Sequence, residues 1–361
     1  MKILVNGRFL CRQPTGVDRY ASEILRVFDR WYARSDAILN NIEFEIAVPS
    51  FHFAHWQPEA IPVRVITPAQ GHIWEQMSLA RYCHGDDVLL SLCNTGPLVA
   101  RRHIVAIHDA TPGRMPESFS RAFRAYYRFM MPVLGRTAQK IITVSEFSRV
   151  EISSCYGIDI NKITVLGNSA EHILRIQSDY SILDRLNLRE NNYVLAVATS
   201  ARHKNLPMLA DIAARLGGSD YRMVLVGGAN QRVFDRLSDP ETKDRLLRTG
   251  YVSDGKLRAL YENATCFVFP SLYEGFGMPP LEAMQVGCPV VSSNAASMPE
   301  VLGDAALFAE PDDPDAFCQA IYRVAQDPNL RKSLTSKGYH QAAGYSWEDC
   351  AKSLLTLCQK L

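Results

Sequence analysis

Glu274 and Glu282, with seven residues between them, stand in the segment CFVFPSLYEGFGMPPLEAMQVGCPVV. A carboxylate in a loop accepts sugar hydroxyls, and one on a helix takes both hydroxyls of a ribose in bidentate fashion. If they faced a diphosphate, both would repel it; recognising hydroxyls lets the two acids share one anionic nucleotide. The local pattern supports that placement. A strand is predicted over residues 266–271, a loop with Gly275 and Gly277 follows, and Pro279 and Pro280 open a helix ending at Gly287. Proline suits a first turn whose backbone donors lack intrahelical partners, and glycine suits the left-handed exit. The result is a helix N-terminus at the carboxyl end of a parallel strand, where open α/β sheets bind ligands and an anion is favoured.

A second group of candidates is cationic. Arg202 and Lys204 follow a predicted strand in YVLAVATSARHKNLP. Two cations beside a helix N-terminus would neutralise a departing diphosphate, the charge that grows towards the transition state; a solvated basic loop is the plain alternative. In the first half, HIVAIHDATPG places His108 and Asp109 at the carboxyl tip of a strand. Such a pair is a site candidate, against a packed histidine and a capping aspartate. RQPTGVDRY puts Thr15 and Gly16 at a loop-to-helix junction.

Positioning these groups requires strands alternating with helices. Short apolar, β-rich runs occur at residues 2–7, 43–49, 87–92, 103–109 and 140–145, and the pattern restarts at 193–199, 221–228, 246–252, 266–271 and 289–293. Strands separated by longer amphipathic stretches mean doubly wound parallel sheets. A polar patch at 169–192 divides the two series. The expected organisation is a first α/β domain over residues 1–170 and a second over 180–344. A final amphipathic helix at 345–361, with Ser346 as a candidate N-cap, packs back on the first domain.

Composition narrows the class. A chain of 361 residues with 47% hydrophobic and 21% charged residues is globular and long enough for two domains. A net charge of +1 argues against nucleic acid as an obligatory partner. Nine widely spaced cysteines, with no C-x-x-C pair, read as reduced thiols of a cytosolic protein. The start MKILVNGRFL is too short for a signal peptide's apolar core, and no run approaches the roughly 18 apolar residues of a membrane span. The expected location is cytoplasmic, with any membrane contact peripheral, at the inner face of the cytoplasmic membrane.

The string EGFGMPPLE, followed by GCPVVSSNAASMPEVLGDAALFAEPDDPDAF, closely resembles the donor site of retaining glycosyltransferases of family four. The resemblance implies the GT-B fold, two Rossmann-like, doubly wound domains facing a cleft, and a nucleotide-sugar donor held by the second domain. It implies that Glu274 contacts the transferred sugar, that Gly275, Phe276, Gly277 and Met278 line sugar and phosphate, and that Glu282 binds the ribose. Lys204 matches the family's diphosphate-binding lysine, with Arg202 as its partner across His203. Backbone near Gly228, Val252 and Ser253 would meet the base. His108 would meet the sugar, and Gly16 would let the first-domain backbone approach the diphosphate, although a second glycine is replaced at Val17 and Asp18.

The same resemblance implies retention of configuration without a side-chain nucleophile, and no cofactor. With no D-x-D motif in a suitable loop, no metal is expected, the fixed cations replacing a divalent ion. HDATP favours mannose and hence GDP-mannose; a UDP-sugar or another nucleotide sugar stays open. The expected acceptor is a hydroxyl of a glycan or of a polyprenyl-diphosphate-linked oligosaccharide, as in polysaccharide and lipopolysaccharide synthesis. Glu75 in WEQ at residues 74–76 either touches that acceptor or sits beside a Trp74 that merely packs. Seven basic residues against two acidic ones at 114–149, interleaved with aromatics, suit an anionic membrane surface or, equally, a core face backed by solvated arginines. Rival classes are a sugar-nucleotide epimerase and a non-catalytic scaffold or lectin; a nicotinamide oxidoreductase is disfavoured because no G-x-G-x-x-G follows the first strand.

Overall fold

Valine, isoleucine and leucine runs buried on both faces build two parallel sheets, as expected where helices cover each side. A computed structural model describes residues 1–54, 56–188, 192–216, 221–228 and 246–361. The chain divides into two units, Met1–Asn168 with Trp347–Leu361, and Ser169–Ser346.

The first unit holds strands β1 (Lys2–Asn6), β2 (Glu43–Val48), β3 (Val63–Val65), β4 (Val88–Ser91), β5 (Arg102–Ala106), β6 (Lys140–Thr143) and β7 (Ile163–Val165), in the order β3-β2-β1-β4-β5-β6-β7. All its described pairings are parallel. Helix α1 (Gly16–Ala33) follows β1, α2 (Gly71–Trp74) runs into a π-helical turn at Glu75–Leu79, and α3 (Arg121–Thr137) precedes β6. The closing helix, Trp347–Gln359, buries Trp347, Leu354 and Leu355. It packs on α1, with the Tyr20 and Trp347 rings 5.8 Å apart.

The second unit holds β8 (Tyr193–Val197), β9 (Arg222–Val226), β10 (Leu246–Gly250), β11 (Cys266–Phe269), β12 (Val290–Ser293) and β13 (Ala306–Ala309), in the order β10-β9-β8-β11-β12-β13. Helices α4 (Leu206–Arg215), α5 (Asp254–Asn263) and α6 (Met278–Gln285) follow β8, β10 and β11. In each sheet the strand order reverses once, between β1 and β4 and between β8 and β11, and ligands of open α/β sheets bind outside the carboxyl ends at such a point.

Three strands were not expected from the sequence, and two end earlier than expected. β3, β7 and β13 are sheet edges of three or four residues whose side chains are partly exposed, so none presents a long apolar run. The strand expected to reach Asp109 ends at Ala106, and the one expected to reach Val252 ends at Gly250, where φ is +68°.

Candidate active site

Lys204 reaches Glu274 because two contacts tie the ends of β8 and β11 together and a third ties the end of β8 to the segment after β13. After β8 the chain makes a 3-10 turn, Arg202–Lys204, and Asn205 takes the left-handed conformation at φ 54° and ψ 47°. Asparagine tolerates that region better than most residues. The Asn205 amide Nδ2 then donates to the carbonyls of Pro270 at 3.1 Å and Pro311 at 2.7 Å, and the Leu272 amide donates to the His203 carbonyl at 2.7 Å. Lys204 Nζ consequently lies 2.7 Å from Glu274 Oε1, with the two side chains 18% and 12% exposed. It also stands 5.3 Å from the centroid of the Phe269 ring. Arg202 shares the turn and is exposed.

The loop beyond Glu274 is fixed from the next strand. Ser297 Oγ donates to the Glu274 carbonyl at 3.0 Å, and Ser293 Oγ to that of Ser271 at 2.6 Å. Gly275, Phe276 and Gly277 are buried and Met278 half-buried. Gly277 opens α6 at φ +93°, a conformation L side chains rarely adopt, and no side chain caps the helix there. A Cβ at this position would also press on the Met298 side chain.

Glu282, on the second turn of α6, is 8% exposed. Its Oε1 lies 2.9 Å from His172 Nε2, and its Oε2 accepts from the Tyr261 hydroxyl at 3.3 Å. The sequence expectation left both oxygens to a ribose. In the structure each oxygen already has a protein partner, and a ribose would use the remaining lone pairs. Nothing in the sequence signalled His172, which stands 110 residues away on a 3-10 turn, Glu171–Arg175, in the polar patch between the two strand series.

The expected base floor is partly described. Gly228 lines a cavity of about 400 Å³ with Leu225, Gly227, Arg248, Thr249 and Gly250. Val252 and Ser253 do not line it; Ser253 instead caps α5, its Oγ accepting from the Lys256 amide at 3.4 Å. Residues 229–232 of the segment VGGANQR lie outside the described residues.

In the first unit His108 is 6% exposed, edge-on to Tyr20 at 4.8 Å, and its Nε2 lies 3.0 Å from the Leu92 carbonyl. A carbonyl only accepts, so Nε2 carries the proton. Burial depresses the pKa, outweighing that hydrogen bond and the nearby Asp109 and Asp18, and holds the ring neutral. Of the two readings open for Asp109, the structure shows the capping contact, with Oδ1 accepting from the Thr111 amide at 2.8 Å. The Thr15 hydroxyl donates to Asp18 Oδ2 at 2.7 Å, and the Thr15 amide donates to the same oxygen at 2.8 Å in a capping box. Asp18 therefore stands where a second glycine was expected because it closes the first turn of α1. Among the described residues, and apart from its chain neighbours and its own helix backbone, no atom lies within 4 Å of where a Gly16 Cβ would be. Trp74 is fully buried with Nε1 donating to the Ile66 carbonyl at 2.7 Å.

Two doubly wound parallel sheets, with the Lys204–Glu274 pair and the start of α6 at the switch point of the second, have the arrangement that the GT-B fold leads one to expect. Residues 182–341 match the family model described as Glycosyl transferases group 1. The chain is 36% identical over 258 residues to O-antigen chain mannosyltransferase B of Escherichia coli, covering 69% of this chain and 68% of that one. It is 31% identical over 239 residues to O-antigen chain mannosyltransferase RfbU of Salmonella typhimurium, covering 65% and 64%. It belongs to the group 1 glycosyltransferases. The fold also superposes on Anabaena Alr3699/HepE in complex with UDP-glucose, with a TM-score of 0.75 and 18% identity over 100% of both chains. Among the described residues no helix is long and apolar enough to cross a membrane.

Proposed function

We propose that this glycosyltransferase moves mannose from GDP-mannose to a hydroxyl of a glycan or lipid-linked oligosaccharide, with retention of configuration and without a metal or other cofactor. The observation that carries the reading is the Lys204–Glu274 pair at 2.7 Å beside the start of α6. A donor entering there would exchange partners with it: Lys204, with Arg202, turns to the diphosphate, and Glu274 is released to accept sugar hydroxyls. The bond between the anomeric carbon and the phosphate oxygen breaks as the acceptor oxygen bonds the same face, and the acceptor proton passes to the leaving phosphate. Preorganised cations at the developing charge are worth most in such a step. The mannose assignment is supported by the names of both curated relatives, and the O-antigen relatives favour an acceptor in polysaccharide synthesis.

The roles given to His108 and Gly16 rest on the family resemblance, as does a cytoplasmic location at the inner membrane face. The exposed side of α3, with Arg121, Arg124, Arg128 and a 62% exposed Phe129, supports a peripheral contact with anionic lipid. The test is release of mannose from GDP-mannose in excess chelator, beside UDP-glucose and UDP-N-acetylglucosamine. Turnover of GDP-mannose supports the reading, a UDP-sugar preference replaces its donor, and dependence on added divalent ion overturns its metal independence.

A further inference from the structure

At the switch point of the first unit's sheet lies a second polar constellation. Glu75, on the π-helical turn after α2, is 1% exposed. Asn6, the last residue of β1, donates its Nδ2 to Glu75 Oε1 at 2.8 Å, and Thr95, beyond β4, donates its hydroxyl to both oxygens at 3.1 Å. Arg8 Nε lies 3.2 Å from Oε1, and His72 Nδ1 lies 3.1 Å from Oε2. Burial alone would raise the Glu75 pKa, but the hydrogen bonds from His72 and Asn6 and the charge of Arg8 more than offset it, so the group is ionised.

An ionised carboxylate only accepts, so His72 Nδ1 carries a proton, and Nε2 is the ring atom left to meet a ligand. The imidazole is 42% exposed, and Nε2 has no partner among the described residues. Its ring lies 4.7 Å from that of Tyr126, whose hydroxyl is buried without a hydrogen-bond partner among the described residues. Tyr126 in turn continues an aromatic row through Tyr127, Phe123 and Phe119, at centroid spacings of 5.7, 4.3 and 4.9 Å. A strut that merely tied Arg8 to the sheet would need neither the half-exposed imidazole nor the aromatic row. A widened helical turn that aims a charged residue inward at a sheet's carboxyl edge is a frequent mark of a functional site.

We propose that His72, oriented by Glu75, binds the acceptor: Nε2 hydrogen-bonds a hydroxyl of the acceptor pyranose while the aromatic row from Tyr126 supplies the apolar surface that sugar rings pack on. The proposal rests on the glycosyl-transfer reading and names the acceptor-side contact that reading lacks. Full-length protein carrying isotope-labelled histidine is titrated with the methyl glycosides of mannose, glucose, N-acetylglucosamine and rhamnose. The imidazole signal of His72 is assigned by its loss in His72→Phe. At least one glycoside should shift that signal saturably. His72→Phe should weaken binding of the same glycoside, read by saturation transfer, by about tenfold, the worth of one hydrogen bond, while leaving GDP affinity unchanged. If no glycoside moves the signal, or His72→Phe binds as tightly as the unaltered protein, the proposal is overturned. Sugar release from GDP-mannose and the UDP-sugars, measured on the same preparation, decides the transfer reading separately: its absence removes that reading and leaves the glycoside result standing.

Discussion

Glu282 shares its carboxylate between His172 and Tyr261, and that sharing sets what its removal should do. Glu282→Ala should weaken nucleotide binding by about 1.5–3 kcal/mol, the range for hydrogen bonds to a charged group, with calorimetry as the check. His172→Ala should weaken it less, because the carboxylate keeps its charge and loses only one orienting contact. Lys204→Ala should lower turnover by about 100-fold while moving donor KM far less, as measured by steady-state sugar release; unchanged turnover would contradict the charge-neutralisation argument. Elsewhere in the first unit, His103 is fully buried, its pKa lowered to about 4 by burial against a weak opposing effect of Glu75. A folded pKa below the unfolded one means the unfolded chain binds the proton first. The contribution is constant above the unfolded value near 6.5 and is lost as pH falls from there to about 4, at a cost of about 3 kcal/mol. Urea midpoints measured across that window should fall with pH, and His103→Gln should flatten the slope.

At the scale of elements, the start of α6 depends on the backbone of Gly277. Gly277→Ala demands a left-handed alanine pressed on Met298; it should cost about 1–3 kcal/mol of stability and lower donor affinity, read by thermal unfolding and GDP titration. This element was legible in the sequence because prolines and glycines state backbone conformation directly, and Glu274 and Glu282 lie within that string; Lys204 was legible separately, as one of two cations just after a strand. His172 was not legible, since a partner 110 residues away leaves no local spacing. The same holds for the group around Glu75, whose members come from β1, the turn after α2 and the loop after β4. The edge strands β3, β7 and β13 escaped because a short strand with one side towards water shows neither a long apolar run nor enough residues to alternate.

At the scale of the whole molecule, each unit has its own sheet and its own buried core, and all four tryptophans, Trp31, Trp56, Trp74 and Trp347, belong to the first. A ligand held by the second unit stabilises the state that binds it by mass action. GDP should therefore raise the calorimetric transition that tryptophan fluorescence does not report. A shift confined to the fluorescence transition would place the nucleotide in the wrong unit. The central claim, that the second unit holds a sugar nucleotide through Lys204, Glu274 and Glu282, is tested most directly by calorimetric titration of the full chain with GDP and UDP in excess chelator, repeated on Glu282→Ala. The account predicts that GDP binds without metal in preference to UDP, and that Glu282→Ala weakens it about tenfold or more. Equal affinity in the two proteins, or no nucleotide binding at all, would contradict it.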